Sequence, residues 1–320
     1  DETIQVTDTG GQPPGVSITA DQQKVVGENT TQVGLAANAV YDIDGVLAQS
    51  GNVTTVLTGD MNLGLAAAAM MVKLDASGSI WDAVDGSDTN VDSASALFVA
   101  ENNIGEAANP IETEVSKLEA WAANGGIWLE NTGDLEIGGI TGTGGLVADG
   151  PVVVTALSSL TIVDDVSSET DIALTATESD DGASDLIVVN GSQVNSTSGN
   201  VLLQAGDNIT VEDNARVIAS DSVHIRGDYE SDDTDGAVME LLGDVAGQSV
   251  EVLGNMDDDL IVIANIEATG QTVVRTYDGK DVIRIGSVDK TDVYAGSGND
   301  TIQIGSLDLG YAGSVNQIRA

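Results

Sequence analysis

Short runs of branched apolar residues, separated by Gly, Asp, Asn and Ser, fill the chain from about residue 125 onward. Runs that recur about every 7 to 15 residues, with no helical period between them, are typical of strands in a β-solenoid or a β-sandwich. The predicted strands are Ile127–Leu129, Leu135–Ile137, Val152–Thr155, Leu160–Val163, Ile172–Thr175, Leu186–Val189, Val201–Leu203, Ile209–Val211, Val217–Ile218, Val223–Ile225, Val250–Leu253, Leu260–Ile263, Val273–Val274, Val282–Ile285 and Thr301–Ile304.

Three segments near the end of the chain decide between these two folds, because each reads as strand, acidic turn, Asp, strand. The aligned residues Asp259, Asp281 and Asp300 are 22 and 19 residues apart. That spacing is too irregular for sandwich hairpins, and it is close to one coil of a parallel β-helix at about 20 residues per coil. We therefore predict an all-β, right-handed parallel β-helix (solenoid), with the hand expected from the chirality of parallel crossovers. The segments are Val252–Ile263, Val274–Ile285 and Val293–Ile304.

The N-terminal part is less regular, and the pattern divides the chain into three parts. Residues 1–15 read as a linker or leading strand, residues 16–125 as irregular β-rich coils, and residues 126–320 as regular coils. The run from Leu65 to Leu74 is rich in Ala and Met and is compatible with a helix or a strand. We favour a strand. Ile111–Ala123 has apolar residues at helical spacing, and the pattern alone leaves its structure open.

Charge narrows the set of partners. The 320 residues include 52 Asp plus Glu against 10 Lys plus Arg, a formal net charge of −42, yet 41% are hydrophobic, so a core is expected. Such a polyanion is repelled by DNA, RNA and anionic membrane surfaces, and cations are its natural partners. No apolar run reaches the roughly 18 residues of a spanning helix, so no membrane insertion is expected. The lack of Cys excludes disulfides and thiolate metal sites.

Stacked acidic turns suggest a metal site. In a parallel solenoid Asp259, Asp281 and Asp300 would lie over one another, and close like charges either raise carboxylate pKa values or recruit a cation. Calcium suits turn carboxylates because it takes 6 to 8 oxygen ligands in flexible geometry. The alternative is a set of solvated turn acids, chosen because Asp and Asn tolerate left-handed turns, with Lys280 offsetting some charge. Two further acidic clusters are interpreted as solvated loops: Glu178–Asp185 and Glu230–Asp235.

One turn resembles a known calcium motif. Ala295–Gln303 is similar to the nonapeptide of RTX proteins, Gly-Gly-x-Gly-x-Asp-x-apolar-x, although Ala295 replaces the first Gly and the upstream turns depart from the motif. The resemblance implies calcium held by backbone carbonyls and Asp carboxylates of two turns stacked one coil apart. The metal-binding residues predicted from the turns and the resemblance together are Asp257, Asp259, Asp278, Asp281, Gly296, Gly298, Asn299 and Asp300.

Longer segments resemble the large secreted repeat proteins of bacteria. Asn109–Ala120, Gly125–Gly139 and Ser198–Val211 are similar in style to filamentous-haemagglutinin-like adhesins. The resemblance implies a right-handed parallel β-helix, favours strand for the Ile111 segment, and implies a cell-surface or extracellular stalk, adhesin or matrix element. Because the chain begins at Asp1 without Met or an export signal, we expect it to be a piece of a longer protein.

Catalytic chemistry is sparse, and we expect no enzyme. His224, the single histidine, sits in a predicted strand as a ladder or surface residue. The enzyme alternative is a β-helical polysaccharide lyase or glycosidase, which needs carboxylates and a basic residue in a cleft. Both charge types concentrate around Arg275 and Arg284, with Asp278 and Asp281 between them, where a cross-strand ion pair is the simpler interpretation.

Three tryptophans and one asparagine receive structural interpretations. Trp81, Trp121 and Trp128 could stack on sugars, but filling coil interiors or ends is favoured. Asn265 is predicted to belong to an internal Asn ladder.

The sequence thus predicts an extracellular structural or adhesive β-helix segment stabilised by calcium. No amphipathic capping helix follows Ser306, so the coil ends are expected to join neighbouring segments of the parent chain or identical subunits, as fibres or lattices. The alternative is a polysaccharide-binding or polysaccharide-cleaving β-helix, with surface glycans as partners.

Overall fold

A computed structural model describes residues 52–305 except 85, 180–183, 230–235 and 289, together with the backbone of five further strands outside that range. The predicted linker at residues 1–15 lies outside the described residues. Within these limits the chain contains no α-helix, and all named strand pairs are parallel. No described helix has the length and apolarity to cross a membrane. The chain folds into two compact units, residues 1–154 and 155–320, and the boundary falls within one strand.

The first unit contains thirteen of the named strands and the beginning of another. They are β1 (Val16–Thr19), β2 (Asn29–Val33), β3 (Ala39–Asp44), β4 (Val46–Ala48), β5 (Asn52–Leu57), β6 (Gly59–Leu63), β7 (Ala66–Ala76), β8 (Ile80–Asp82), β9 (Val91–Ala100), β10 (Ile111–Ala122), β11 (Ile127–Asn131), β12 (Leu135–Ile137), β13 (Leu146–Ala148) and the boundary strand β14 (Val152–Ala156).

The second unit continues with shorter strands. They are β15 (Leu160–Ile162), β16 (Val166–Ser168), β17 (Ile172–Ala176), β18 (Leu186–Val188), β19 (Gln193–Ser196), β20 (Val201–Ala205), β21 (Ile209–Val211), β22 (Arg216–Ala219), β23 (Ser222–Arg226), β24 (Val238–Gly247), β25 (Ser249–Leu253), β26 (Leu260–Ala268), β27 (Thr272–Arg275), β28 (Asp278–Gly279), β29 (Val282–Val288), β30 (Thr291–Tyr294), β31 (Ser297–Gly298), β32 (Thr301–Ile304) and β33 (Val315–Arg319).

Each unit is a parallel β-solenoid, as predicted. Consecutive strands along the chain turn corners instead of forming hairpins, and each strand pairs with one from the next coil. In the second unit Val201, Val223 and Val250 are in-register partners on β20, β23 and β25, so these coils span 22 and 27 residues. These coils exceed the predicted period of about 20 residues, which holds in several N-terminal coils and towards the C-terminus, since loops of different length join the strands.

The core of each solenoid follows from strand alternation. Successive side chains point to opposite faces of a strand, so every second residue enters the coil interior. In β20 the buried side chains are Val201, Leu203 and Ala205. In the first unit the fully buried ring of Phe98 lies in register between Leu74 and Ala120, and the small Ala leaves room for the ring. Large and small residues on neighbouring coils thus fill the interior.

Two segments for which the sequence pattern allowed either a helix or a strand are strands in the structure. Leu65–Leu74 lies almost entirely within β7, which confirms the favoured interpretation. Ile111–Ala123 corresponds to β10, as the resemblance to secreted repeat proteins favoured. Along β10 the burial alternates only in part, because outward-pointing side chains such as Glu119, between the buried Leu118 and Ala120, are covered as well, in this case by the turn that carries Ile140 and Thr141. That local break in alternation is what resembled a helical period.

Candidate functional site: stacked aspartates and an arginine–tyrosine stripe

Asp259, Asp281 and Asp300 form a column along three successive coils, here called the aspartate column. Each precedes a strand of one ladder, in which Leu260, Val282 and Thr301 are in register. Adjacent parallel strands lie about 4.8 Å apart, so the three carboxylates succeed one another at roughly that interval. The stacking predicted from the spacing of the acidic turns is therefore confirmed.

The column carries a repeating hydrogen bond. The backbone N–H of Ala237 donates to Oδ1 of Asp259 at 2.9 Å, and the N–H of Asp259 donates to Oδ1 of Asp281 at 3.0 Å. The N–H of Asp281 then donates to Oδ1 of Asp300 at 3.2 Å. Each carboxylate thus accepts a hydrogen bond from the preceding coil, at the corner where a backbone donor would otherwise lose its partner. This role explains why Asp occupies the corner even without a metal.

Burial makes these carboxylates costly to ionise. Asp259 is 2% exposed and Asp281 is 0% exposed. Burial raises the pKa of Asp259 to about 7; the N–H donors of Ala237 and Asn255 oppose that rise, and the nearby carboxylates of Asp281 and Asp228 add to it. Burial likewise raises the pKa of Asp281, with Asp300 adding to the rise. Both effects are those of desolvation and like charge.

One oxygen of the column has no hydrogen-bond partner. Oδ2 of Asp281 is buried and accepts no hydrogen bond from a described residue. Lys280 next to it has an exposed side chain, and no ion pair joins it to the column in the described part of the chain. The interpretation that Lys280 offsets the charge is therefore not supported by its contacts. A buried carboxylate oxygen without a partner calls for a proton or a cation.

The neighbouring turns stack closely by their glycines. Asp278–Gly279 pairs in parallel with Ser297–Gly298 on the next coil, and the N–H of Ser297 donates to the carbonyl oxygen of Tyr277 at 2.8 Å. Gly296 has a φ of 81°, and a Cβ there would overlap the Tyr277 carbonyl oxygen. The turn therefore requires glycine for both its dihedral angle and its close contact.

The eight predicted metal-binding residues are only partly brought together. Asp259 and Asp281 are buried, Asp257 and Asp300 are half-buried, and the other four lie exposed on the turns. Among the described residues no group of three or more His, Cys, Asp or Glu side chains lies close enough to hold one ion. A site here would need backbone carbonyl oxygens beside the carboxylates, so the calcium site stays a prediction. The exposed four are Asp278, Gly296, Gly298 and Asn299.

The other acidic clusters fall partly outside the described residues. Glu230–Asp235 lies outside them, and so do residues 180–183 of the Glu178–Asp185 cluster. At its end, Asp185 Oδ1 accepts a hydrogen bond of 2.8 Å from Nδ2 of Asn208, and the N–H of Ser184 donates to Asp207 at 2.6 Å. These described acids again serve bonds between coils.

A second feature of this unit is a row of arginine and tyrosine side chains on the solvent side. We call Arg226, Tyr229, Arg275, Tyr277 and Tyr294 the arginine–tyrosine stripe. The Arg226 guanidinium lies 4.7 Å from the Tyr229 ring centroid, and that of Arg275 lies 5.7 and 5.2 Å from the rings of Tyr277 and Tyr294. Arg275 and Tyr294 are in register on β27 and β30, two coils beyond Arg226. The stripe thus runs along several coils.

Polar neighbours complete the stripe. Nη1 of Arg275 lies 3.8 Å from Oε1 of Glu251, and Nδ1 of His224 lies 3.2 Å from Oε2 of the same carboxylate. His224 and Glu251 are in register across β23 and β25, so His224 is a ladder residue as predicted. The cross-strand ion pair predicted for Arg275 exists, with Glu251 as its partner. Arg284 lies exposed in another ladder, on β29.

Of the two places expected for the tryptophans, the coil interior is wrong, and the internal Asn ladder expected at Asn265 is wrong as well. Trp121 and Trp128 each lie half-buried between two buried neighbours, so strand alternation points their rings outward, and Trp81 is half-buried as well. None of the three fills a coil interior, because the narrow interior takes mainly Val, Ile, Leu and Ala. Asn265 also lies outside: its Nδ2 donates to Oδ1 of Asp244 on the preceding coil at 3.3 Å, an exposed ladder contact.

A groove of about 1120 Å³ runs beside Asn265 in the second unit. Small and polar side chains line it, among them Ala246, Gln248 and Thr269, with Glu267 and Lys290 as its ionisable lining residues. It contains no aromatic ring and none of the predicted functional residues. Its chemistry points to no particular reaction.

Sequence reasoning missed buried acids in the first unit. Glu119 is 0% exposed, and its Oε1 accepts hydrogen bonds from the N–H groups of Ile140 and Thr141 at 2.7 and 2.8 Å. Glu112 is 8% exposed on the same strand. Strand alternation gave no signal for them, because Glu112 and Glu119 each lie between two buried neighbours and so point to the outer face, where other segments of the chain cover them.

Comparison of the chain with protein families, curated proteins and solved structures finds no match. The fold therefore defines the protein as a parallel β-solenoid, and function has to be argued from its own residues.

Proposed function

We propose that this protein is an extracellular structural or adhesive β-helix segment whose acidic turns are neutralised by calcium. The observation that carries the proposal is the aspartate column, in which Asp259 and Asp281 are buried and no described lysine or arginine forms an ion pair. A parallel solenoid is a stiff repeat in which each coil contacts only its neighbours, and this suits a spacer or a stalk. The resemblance to secreted bacterial repeat proteins supports the location.

Calcium would use the column and the glycine turns together. Asp281 supplies an oxygen with no hydrogen-bond partner, and Asp259 and Asp300 lie one coil to either side. Backbone carbonyls of the stacked turns at Asp257 and Gly279 lie next to these acids in sequence and space. Such an all-oxygen set fits a hard cation of flexible geometry. The ion would offset the repulsion between carboxylates that the coil spacing holds close.

We expect calcium to stabilise the second unit, and Asp281→Asn to remove most of that effect. Calcium that binds only the folded state at 100 times its dissociation constant would add about 2.7 kcal/mol to the free energy of unfolding. Urea denaturation in calcium and in chelator measures this difference. Asp213→Asn, an exposed turn acid away from the column, is the matched control and should keep the full calcium effect. An equal response of both variants would contradict the proposal.

End-to-end assembly is part of the same proposal. In the described part of the chain β32 pairs only with β29, so no described strand pairs with its other backbone edge. Open strand edges are templates for pairing with another chain. Solution mass and electron microscopy with calcium and with chelator test the idea: fibres or sheets that form with calcium support it, and calcium-indifferent monomers oppose it.

A second candidate function is the binding of a polysaccharide, favoured by the arginine–tyrosine stripe. Tyr277 has a φ of 67° and is 40% exposed. This left-handed conformation costs a non-glycine residue about 1 to 3 kcal/mol, and such strain clusters at functional sites. The next coil places Gly296 at the corresponding position, so a tyrosine here is not a requirement of the turn. Tyrosine and arginine are the side chains over-represented among binding hot spots.

The charge of the stripe favours a neutral polymer. Glu251 lies 3.8 Å from Arg275 and offsets its charge, while the chain as a whole carries −42. Long-range electrostatics therefore repel an acidic polymer. A neutral sugar presents an apolar ring face to tyrosine and hydroxyl groups to arginine and glutamate.

We expect Tyr277→Asn to weaken binding of a soluble neutral glucan about tenfold, a loss of about 1.4 kcal/mol, while making the fold slightly more stable because Asn tolerates the left-handed region. Calorimetric titration and thermal denaturation measure the two effects. Arg275→Ala should also lose affinity, and Arg284→Ala, exposed in another ladder, should not. A Tyr277→Asn protein that binds like wild type would refute this function; ultraviolet-absorbing unsaturated products would indicate cleavage.

A further inference from the structure

Asp82 and Glu112 form an acidic pair in the first unit that has no cationic partner among the described residues; Asp82 is half-buried and Glu112 is buried. Asp82 ends β8, and Glu112 lies near the start of β10. Oδ2 of Asp82 and Oε2 of Glu112 are both buried, and neither accepts a hydrogen bond from a described residue. Glu112 is 8% exposed, so its carboxylate has lost nearly all contact with water. Two such oxygens in one neighbourhood require a proton or a cation.

The pair is held in place by Asn90, which is fully buried. Nδ2 of Asn90 donates to Oδ1 of Asp82 at 2.6 Å, and its Oδ1 accepts the N–H of Glu112 at 2.8 Å. Oδ1 of Asp82 also accepts the N–H of Val84 at 2.9 Å. These bonds use one oxygen of Asp82 and fix its carboxylate, leaving the second oxygen for a ligand. The carboxylate of Asp82 is thus preorganised, and the bond from the N–H of Glu112 to Asn90 fixes the backbone that carries the second carboxylate.

The surroundings add negative charge and space. Glu130 is in register with Glu112 on β11, and the Asp82, Glu130 and Asp88 carboxylates all oppose ionisation of Glu112. The described lysines of this unit, Lys73 and Lys117, pair instead with Asp75 and Glu136. A cleft of about 280 Å³ adjoins the Asp82 side of the pair and is lined by Trp81, Asp82, Glu106 and Asn109. It has room for several waters, because each water occupies about 30 Å³ in the liquid.

We propose that Asp82 and Glu112 bind a hydrated calcium ion, in a site separate from the aspartate column. The two free oxygens supply charge, and waters in the adjoining cleft fill the remaining positions, since calcium accepts 6 to 8 oxygen ligands including waters. A bound divalent cation neutralises both carboxylates at once, whereas a single proton neutralises only one of them. This site rests on neither the RTX-like turn nor the column.

Trp81 supplies a reporter, because it precedes Asp82 and lines the same cleft. Terbium, a calcium substitute, emits when a nearby tryptophan is excited. We expect saturable emission that calcium displaces, at least about a tenfold weaker terbium affinity in Glu112→Gln and Asp82→Asn, and loss of the signal in Trp81→Phe. Asp281→Asn should keep the signal, so failure of the column proposal would leave this result unchanged.

Circular dichroism confirms that each variant is folded. Magnesium competes in a parallel titration, and weaker displacement than by calcium is expected because magnesium demands stricter geometry. Absence of saturable emission in the wild type, or emission unaffected by Glu112→Gln, overturns the proposal. A Glu112→Gln protein that is more stable than wild type in both chelator and calcium also overturns the proposal, because that result means that Glu112 carries a proton instead of contacting a cation.

Discussion

Gly296→Ala is expected to destabilise the C-terminal coils by about 3 kcal/mol or more, the sum of a dihedral and a steric cost. The φ of 81° is unfavourable for any residue with a Cβ, and the added carbon would overlap the carbonyl oxygen of Tyr277 on the preceding coil. Relief requires the turns to separate, which would break the hydrogen bond from Ser297 to that carbonyl. Because coils contact only their neighbours, we expect the loss to appear first as local opening.

Gly305→Ala is the matched control for this substitution. Gly305 has a φ of 78°, but a Cβ there would meet nothing within 4 Å. It should cost only the dihedral part, about 1 kcal/mol. Hydrogen exchange across residues 272–305, with urea denaturation for the whole unit, compares the two. Similar costs at both positions would mean that the close contact between turns does not exist in solution.

A second large effect is expected from pH in calcium-free buffer: stability should fall as pH rises from about 4 to about 7. Asp259 and Glu112 each have a folded-state pKa raised to about 7, mainly by burial, whereas the unfolded values lie near 4. Between these values the folded chain binds more protons than the unfolded chain, so each pH unit lowers stability. The rise in the pKa of Asp259 from 3.8 to about 7 sets an upper limit near 4 kcal/mol, and the smaller rise for Glu112, from 4.5, sets a lower one.

Urea denaturation at several pH values in chelator measures this trend, and two variants assign it. Asp259→Asn and Glu112→Gln should each flatten the pH dependence, because each removes one titrating group. The general repulsion of a chain with charge −42 acts in the same direction, so the series is repeated in high salt, which screens exposed charges more than buried ones. Constant stability between pH 5 and 7.5 in chelator would contradict the assignment. Added calcium at pH 7 should restore much of the loss.

The regular coils could be predicted because their signal is local. Runs such as Val201–Leu203 and Val223–Ile225 carry alternating apolar residues and end at turn residues, and β20 and β23 contain both. The ten-residue strand Val238–Gly247 was missed, because Gly243 and Asp244 interrupt its pattern. In the structure the register between β24 and β26 shifts between Leu241 and Asp244, so the irregularity is absorbed across coils.

The candidate sites also differ in whether the sequence alone could predict them. The column followed from the aligned acidic turns of Asp259, Asp281 and Asp300, which recur at 22 and 19 residues, about one coil each, and in a parallel solenoid such a spacing places residues over one another. The pair of Asp82 and Glu112 is 30 residues apart and shares no motif. Its two acids meet only because β8, the following turn and β10 lie on neighbouring coils, with Asn90 between them.

By itself the sequence determined the all-β class, the parallel stacking and the position of the aspartate column, because these depend on periodicity along the chain. Only the tertiary structure decided which side chains are buried without partners, that the tryptophans and Asn265 face outward, and that arginines and tyrosines align across coils. Those outcomes depend on coil length, which varies with each loop and sets which residues become neighbours.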